Sequence, residues 1–164
     1  MQALQITNTK QFMSRLLTDT AFDIFLLEEA TLSTASTYTI DGHINKEFYT
    51  PDEVDELPYD FLCWSEIKSL CFELIKGKRT PLYFKFVLHL KPEHIRSMLS
   101  RAGSAFDSSL IRALVLTIKY DGEKVTLTTG SGYTTFVPDK EPDLLWDQAL
   151  LKQLSANGIS FEIL

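Results

Sequence analysis

Apolar and polar residues follow two kinds of spacing along this chain, one typical of strands and one typical of helices. In residues 82–90 one alternate set of side chains is entirely apolar, which is the period of a strand with one face in a core. From Ile95 to Ala102 the apolar residues recur at i, i+3, i+4 and i+7, which predicts an amphipathic helix. Pro92 suits the first turn of this helix and Gly103 suits its end.

The N-terminal part is predicted to form a strand, a helix and a hairpin. Residues 2–6 have the pattern of a short strand, and Asn8 is expected to cap the helix that follows. Residues 24–40 are rich in the β-branched and aromatic types that strands favour. The pair Asp41-Gly42 can adopt the positive φ angles of a tight turn, so we expect the chain to return through residues 44–48.

A second hairpin is predicted in the C-terminal part. Residues 110–119 and 123–129 flank Asp121-Gly122, which is the same turn signal. Gly130-Ser131-Gly132 is then expected to turn the chain into a short strand at residues 133–137. The strands of this part are therefore expected to pair in an antiparallel manner.

Two more helices and one loop complete the predicted elements. Residues 65–76 predict a largely buried helix with Ser65 as its N-cap, and residues 143–156 predict a last helix. Residues 159–164 then form a closing strand. Residues 51–58 carry four acidic side chains between two prolines, which predicts a solvated loop.

Landmarks of the first half recur in the same order in the second half, at a spacing of about 80 residues that is typical of a duplicated unit. Asp41-Gly42 matches Asp121-Gly122, and Trp64 matches Trp146. Each half has the predicted order β-α-β-β-(β)-α. A competing match of residues 31–34 to residues 126–129 leaves the alignment within the hairpins open, and chance similarity of the halves remains an alternative.

This order predicts an α+β fold with a largely antiparallel sheet and four helices. The 164 residues suit one domain made of two pseudo-repeats, residues 1–80 and 81–164. The longest apolar runs, such as residues 24–27, are far shorter than a membrane span, and the N-terminus has no basic segment followed by an apolar one. We therefore expect a cytoplasmic protein without a membrane partner.

A charge asymmetry supplies the candidate binding residues. The formal net charge is −6, which excludes a uniformly basic surface for nucleic acid. The first helix nevertheless carries Lys10 and Arg15, and its counterpart carries His94, Arg96 and Arg101. If the two halves bring these helices together, the five side chains would form a positive strip for an anionic partner, with separately solvated cations as the alternative.

No recognisable catalytic or metal motif is present. Residues 76–80 lack the upstream glycine of a phosphate loop, and Gly130-Ser131-Gly132 lacks the spacing of a nucleophile elbow. Cys63 and Cys71 lie eight positions apart, which favours two buried thiols over a zinc site. We expect no cofactor and no metal.

Three classes of function remain. We favour a non-enzymatic binding or scaffold module that engages nucleic acid or an acidic protein, and self-association is left open. The alternatives are a small apolar-ligand site between the sheet and the helices that carry Trp64 and Trp146, or an enzyme whose residues converge only in the fold. In that last case His43 or His89 would act with a nearby carboxylate.

Several resemblances accompany these hypotheses. The run of residues 64–67 through 75–81, together with residues 39–42, resembles an uncharacterised bacterial family of unknown function, over most of the chain. The tandem strand-helix-strands-helix pattern looks like the TATA-box-binding-protein fold. The helices around Lys10 and Arg96, each preceded by a strand, look similar to a DNA sliding-clamp domain, which lacks helices equivalent to 65–76 and 143–156. None of these resemblances implies an activity.

Overall fold

A single antiparallel sheet of eight strands organises the molecule, and the computed structural model describes residues 1–164 throughout. The strand order is β3-β2-β5-β6-β7-β1-β8, and β4 pairs with β2 beside β3. This is the α+β class that the sequence predicts. The strands are β1 (Ala3–Ile6), β2 (Phe25–Ser33), β3 (Thr37–Asp41), β4 (Leu62–Cys63), β5 (Tyr83–Leu90), β6 (Ile111–Tyr120), β7 (Val125–Tyr133) and β8 (Phe161–Ile163).

Five helices accompany the sheet, which is one more than predicted. They are α1 (Thr9–Thr18), α2 (Pro51–Glu56), α3 (Trp64–Ile75), α4 (Pro92–Arg101) and α5 (Glu141–Ala156). Two short 3-10 turns, Lys46–Phe48 and Ser108–Leu110, lie in the connections. None of the helices has the length and apolar content that crossing a lipid bilayer requires.

One face of the sheet and the helices share a single core of 29 buried residues. On β5 the alternation is as predicted, because Phe84, Phe86 and Leu88 are at most 1% exposed while Lys85 and His89 point to the other face. The helices contribute ten of these residues, and most of the others lie in strands. Consequently the second face of the sheet is free to carry polar side chains.

The core includes one polar connection that joins α1 to α3. Leu16 lies in the last turn of α1, where carbonyl groups have no helical amide to accept from. The indole Nε1 of Trp64 donates to the Leu16 carbonyl at 2.9 Å. One turn further along α3, the Lys68 ammonium donates to the Asp19 carbonyl at 2.8 Å and pairs with the Asp23 carboxylate at 2.7 Å. Side chains of α3 thus donate hydrogen bonds to the free carbonyl groups at the C-terminal end of α1.

The prediction for Asp41-Gly42 is wrong, because this pair ends β3 instead of turning a hairpin. The β2–β3 turn lies at residues 34–36, and Ser33 pairs with Thr37. Gly42 instead packs against β2: its amide donates to the Glu28 carbonyl at 2.8 Å, and its carbonyl accepts from the Leu62 amide at 2.8 Å. The glycine is needed here for close approach of backbones.

The equivalent pair in the second half does form a turn. Gly122 has a φ of 99°, and the β6–β7 hairpin closes around Asp121-Gly122 as predicted. The two Asp-Gly pairs therefore have different roles. In addition, β5 pairs with β2 and β6, whereas β1 pairs with β7 and β8. The halves differ in their pairing, and internal duplication is not confirmed.

Three further elements differ from the sequence prediction. Residues 51–56 form helix α2 instead of a loop, because Thr50 and Glu53 make a reciprocal capping box and the proline occupies the first turn. Cys63, not Ser65, precedes α3, and only Trp64 and Cys71 of that helix are fully buried. Gly130-Ser131-Gly132 continues β7 without a turn.

Candidate functional site

A cleft of about 200 Å³ opens at the end of β5, between the first turns of α4, the start of β6 and residues 58–61. We call it the His89 cleft. Its polar lining consists of His89, Arg96, Arg112, Tyr59, Ser108 and one acidic residue, Asp60. Residues that are far apart in the sequence meet here, which makes this cleft the strongest candidate for a site.

His89 projects from the polar face of β5 but is not free in solvent. Its side chain is only 12% exposed, because the Phe61 ring packs against it with centroids 4.8 Å apart. Phe61 also contacts the His43 ring at 4.6 Å and forms a β-bridge with His43. The segment after β3 therefore folds back over this corner of the sheet and partly buries the imidazole.

A β-bulge places a carboxylate next to His89. The pairing of β2 with β5 shifts between Leu27 and Glu29, so Glu28 is the extra residue. Its Oε2 lies 3.4 Å from Nε2 of His89. Because the Glu28 carbonyl accepts from the Gly42 amide, the bulge and the fold-back of the following segment hold each other in place.

The imidazole of His89 is uncharged near neutral pH. Burial lowers the pKa of His89 below its ordinary value of 6.5, and the Glu28 carboxylate opposes this shift without cancelling it. His43 and Arg112 lower the pKa of His89 a little further through charge repulsion. A neutral imidazole can donate one hydrogen bond and accept another, so it can contact either kind of ligand group.

We predict that His89 makes the stability of the protein depend on pH. The unfolded chain binds the proton more readily than the folded protein, so the stabilisation is complete above pH 6.5 and is lost as the pH falls through the folded-state pKa. His89→Gln should therefore flatten the fall of Tm between about pH 7.5 and 5.5. Thermal melts of wild type, His89→Gln and a His94→Gln control measure this, and an unchanged slope in His89→Gln would contradict it.

A second bulge places Arg112 at the cleft. The pairing of β6 with β7 shifts between Ile111 and Ala113, and Arg112 is the residue between them. Its guanidinium occupies the space where residue 132 would have a side chain, since a Cβ built on Gly132 would lie 3.0 Å from a terminal nitrogen of Arg112. Gly132 thus provides room for this arginine.

Neither arginine of the cleft is neutralised by a neighbouring acid. Arg96 and Arg112 both have no carboxylate within 4.0 Å, and both are exposed. Asp60 in the lining and Glu93 nearby are acidic groups that each contact another side chain. Asp60 lies 3.8 Å from the Lys46 ammonium, and Glu93 accepts the hydroxyl hydrogen of Tyr59. The two guanidinium groups are therefore available to a ligand.

The Tyr59–Glu93 pair fixes one wall of the cleft. The hydrogen bond to Glu93, together with burial, raises the pKa of Tyr59 to about 12. The Lys91 ammonium lies 5.7 Å from the centre of the Tyr59 ring, which is within cation–π range. Tyr59 is thus a neutral donor committed to Glu93, with a role in shaping the wall.

The five cations of the predicted strip line separate concavities. Arg96 lies in the His89 cleft, whereas His94 and Arg101 line a groove between α4 and α5. Lys10 and Arg15 share a shallow depression on α1, where Arg15 pairs with Asp19 at 2.9 Å. The structure therefore brings His94 and Arg101 together, but it does not join all five in one concavity.

The two cysteines lie outside the cleft and have little thiolate character. Cys63 and Cys71 are free thiols, and burial raises the pKa of both, that of Cys71 to about 12. No three side chains of the histidine, cysteine, aspartate or glutamate types come together as metal ligands would. The arginines and the histidine of the cleft are therefore the groups that determine what it can bind.

Comparison with known proteins adds one finding. The chain belongs to the family of unknown function DUF5721, whose model matches residues 15–162. No curated protein and no solved structure matches this sequence. The matched region includes every residue of the His89 cleft named above.

Proposed function

We propose that this DUF5721 member is a non-enzymatic binding module that holds a small anionic ligand, carrying a phosphate, sulfate or carboxylate group, in the His89 cleft. The observation that carries this proposal is the placement of Arg96 and Arg112 on one cleft without a carboxylate partner. Both guanidinium groups can therefore donate to the same external anion, which the positive potential at this part of the cleft would attract.

The chemistry of the lining suits an oxyanion. Guanidinium groups present planar pairs of donors that match the oxygens of phosphate and carboxylate. His89 adds a neutral donor or acceptor, and the Ser108 hydroxyl adds another. Phe61 and Ile111 add apolar surface beside these polar groups.

The size of the cleft favours a small molecule over a polymer. A volume of about 200 Å³ accommodates one charged group and a short body. Nucleic acid needs cations spaced along a track, and the basic residues of this chain line separate concavities. A nucleic-acid partner is therefore an outcome to be tested against the small-ligand proposal.

Titration with sodium sulfate at constant ionic strength tests the proposal. Arg96→Gln and Arg112→Gln should each weaken sulfate affinity by about 10-fold or more, as expected for loss of a charge-assisted hydrogen bond. The control Arg79→Gln removes an exposed arginine from the loop after α3 and should leave affinity unchanged. Equal losses in all three variants, or no binding of sulfate or pyrophosphate, would contradict the proposal.

Two additional measurements test the role of His89 and the nucleic-acid alternative. Sulfate keeps its charge between pH 5 and 8, so protonation of His89 should raise its affinity as the pH falls, and His89→Gln should remove this increase. The second measurement is a titration of a fluorescent DNA duplex at low salt. Binding of the duplex without binding of sulfate would contradict the small-ligand proposal and would indicate that the two arginines contact nucleic acid.

A second candidate function rests on the pairing of His89 with Glu28. A neutral histidine with a lowered pKa, next to a carboxylate and at the wall of a cleft, is also the arrangement of a general base. Turnover of p-nitrophenyl phosphate that His89→Gln abolishes, while sulfate still binds, would favour catalysis. Absence of turnover with intact sulfate binding supports the binding module.

A further inference from the structure

The groove between α4 and α5 is larger than the His89 cleft and has a different chemistry. Its volume is about 460 Å³, within the range of small-molecule sites. We infer that this groove binds an elongated apolar molecule that ends in a carboxylate, such as a medium-chain fatty acid. This second site is independent of the anion site proposed for the His89 cleft.

The floor of the groove is apolar. It is formed by Ile24 and Leu90 from the sheet side, Met98 from α4, and Leu145 and Trp146 from α5. Trp146 is 2% exposed and its indole nitrogen already donates to the Val115 carbonyl at 3.1 Å, so the ring closes the base of the groove and offers no donor. Burying a hydrocarbon chain on this floor is favourable in proportion to the apolar area removed from water.

The rim of the groove is cationic. Arg101 and Lys152 are exposed and have no carboxylate within 4.0 Å, and His94 lies on the same helix face as Arg101. No aspartate or glutamate lines the groove, although the acidic residues of the chain outnumber Lys and Arg by 22 to 16. This charge pattern is complementary to an anionic end group and repels a cationic one.

The groove is elongated, which favours a chain-like body. On α4 its lining runs from His94 to Arg101, which is eight residues or about 10 Å of helix. On α5 it runs from Leu145 to Ala156, about 16 Å. Met98 is the flexible element of the floor, since an unbranched thioether side chain adapts to apolar ligands of variable shape.

Decanoate, decanol and decyltrimethylammonium are the probes that separate the contributions of chain and charge. We expect decanoate to bind most tightly, decanol about 2- to 5-fold more weakly, and decyltrimethylammonium most weakly, because the rim provides attraction to a carboxylate at exposed sites. Isothermal titration below the micelle concentration measures all three. Equal affinities, or tighter binding of the cation, would overturn the inference.

The two tryptophans locate the bound molecule. In an amide and indole NMR spectrum, decanoate should shift the indole cross-peak of Trp146 and leave that of Trp64, which is fully buried away from the groove. A shift of the Trp64 peak alone would place the ligand elsewhere. A shift of neither peak at saturation would also overturn the inference.

Paired variants distinguish this site from the His89 cleft. The double variant Arg101→Gln/Lys152→Gln removes most of the attraction to the carboxylate, so it should lower decanoate affinity by roughly 2- to 5-fold and leave sulfate affinity unchanged. Arg96→Gln/Arg112→Gln should lower sulfate affinity and leave decanoate affinity unchanged. Lys78→Gln/Arg79→Gln is the charge-matched control. Loss of decanoate binding in the Arg96 and Arg112 variant, with none in the Arg101 and Lys152 variant, would show that the carboxylate binds in the cleft instead.

Discussion

Gly42→Ala is expected to destabilise the protein by about 4 kcal/mol or more, enough to remove most of the stability of an ordinary domain. A Cβ at this position would lie 1.8 Å from the Leu27 carbonyl oxygen and 2.6 Å from its carbon. These are backbone atoms of a central strand, so they cannot move aside as a flexible side chain could. Both hydrogen bonds of Gly42, to Glu28 and from Leu62, would have to break or distort.

The same substitution should also disturb the His89 cleft. Gly42 holds the bulge that directs Glu28 toward His89, and the segment after Gly42 places Phe61 over the imidazole. Gly130→Ala is the matched control, because a Cβ there meets no atom closer than 3.9 Å. Chemical denaturation measures both variants. A Gly42→Ala protein within about 1 kcal/mol of wild type would contradict the close approach of these strands.

Trp64→Ala is expected to destabilise the protein by about 3–5 kcal/mol through the cavity that it leaves, with a further loss from an unpaired carbonyl. The Trp64 side chain is fully buried and packs edge-on against Phe86 with centroids 5.1 Å apart. Its indole also satisfies the Leu16 carbonyl at the end of α1. Trp64→Phe keeps most of the apolar volume and removes the donor, so it should cost about 2 kcal/mol.

The difference between the two Trp64 variants separates packing from hydrogen bonding. Leu70→Ala on the same helix is the control, since Leu70 is 47% exposed and should have a small effect. Denaturant midpoints together with hydrogen exchange in α1 measure the result. If Trp64→Phe were as stable as wild type and exchange in α1 were unchanged, the role of the indole as a cap of α1 would be contradicted.

Regular elements could be predicted from the sequence where local rules decide them. The alternation of β5, the Asn8 cap of α1 and the Asp121-Gly122 hairpin all depend on near neighbours, and the structure confirms each. Asp41-Gly42 has the same local signal as Asp121-Gly122, yet tertiary contacts with β2 decide its conformation. Residues 51–56 form α2 instead of the predicted loop, because the capping residues Thr50 and Glu53 stabilise a helix that the charge of the segment does not indicate.

The candidate site was predictable only in part. The charge asymmetry of the helices points to Arg96, and the polar side of an alternating strand offers His89; both line the cleft. No such pattern points to Glu28 or Arg112, because each is an extra residue in a β-bulge and periodicity gives no sign of a bulge. The nearest signal for Arg112 was Gly132, whose missing side chain makes room for the guanidinium.

A crystal structure of the protein soaked with tungstate, a heavy tetrahedral oxyanion, tests the central claim most directly. The account predicts an anomalous peak in the His89 cleft with the guanidinium groups of Arg96 and Arg112 as its ligands. The same soak of Arg96→Gln/Arg112→Gln crystals should lose that peak. An empty cleft in the wild-type crystal would contradict the assignment of this cleft as the anion site, and a peak there that persists in the variant would contradict the role of the two arginines.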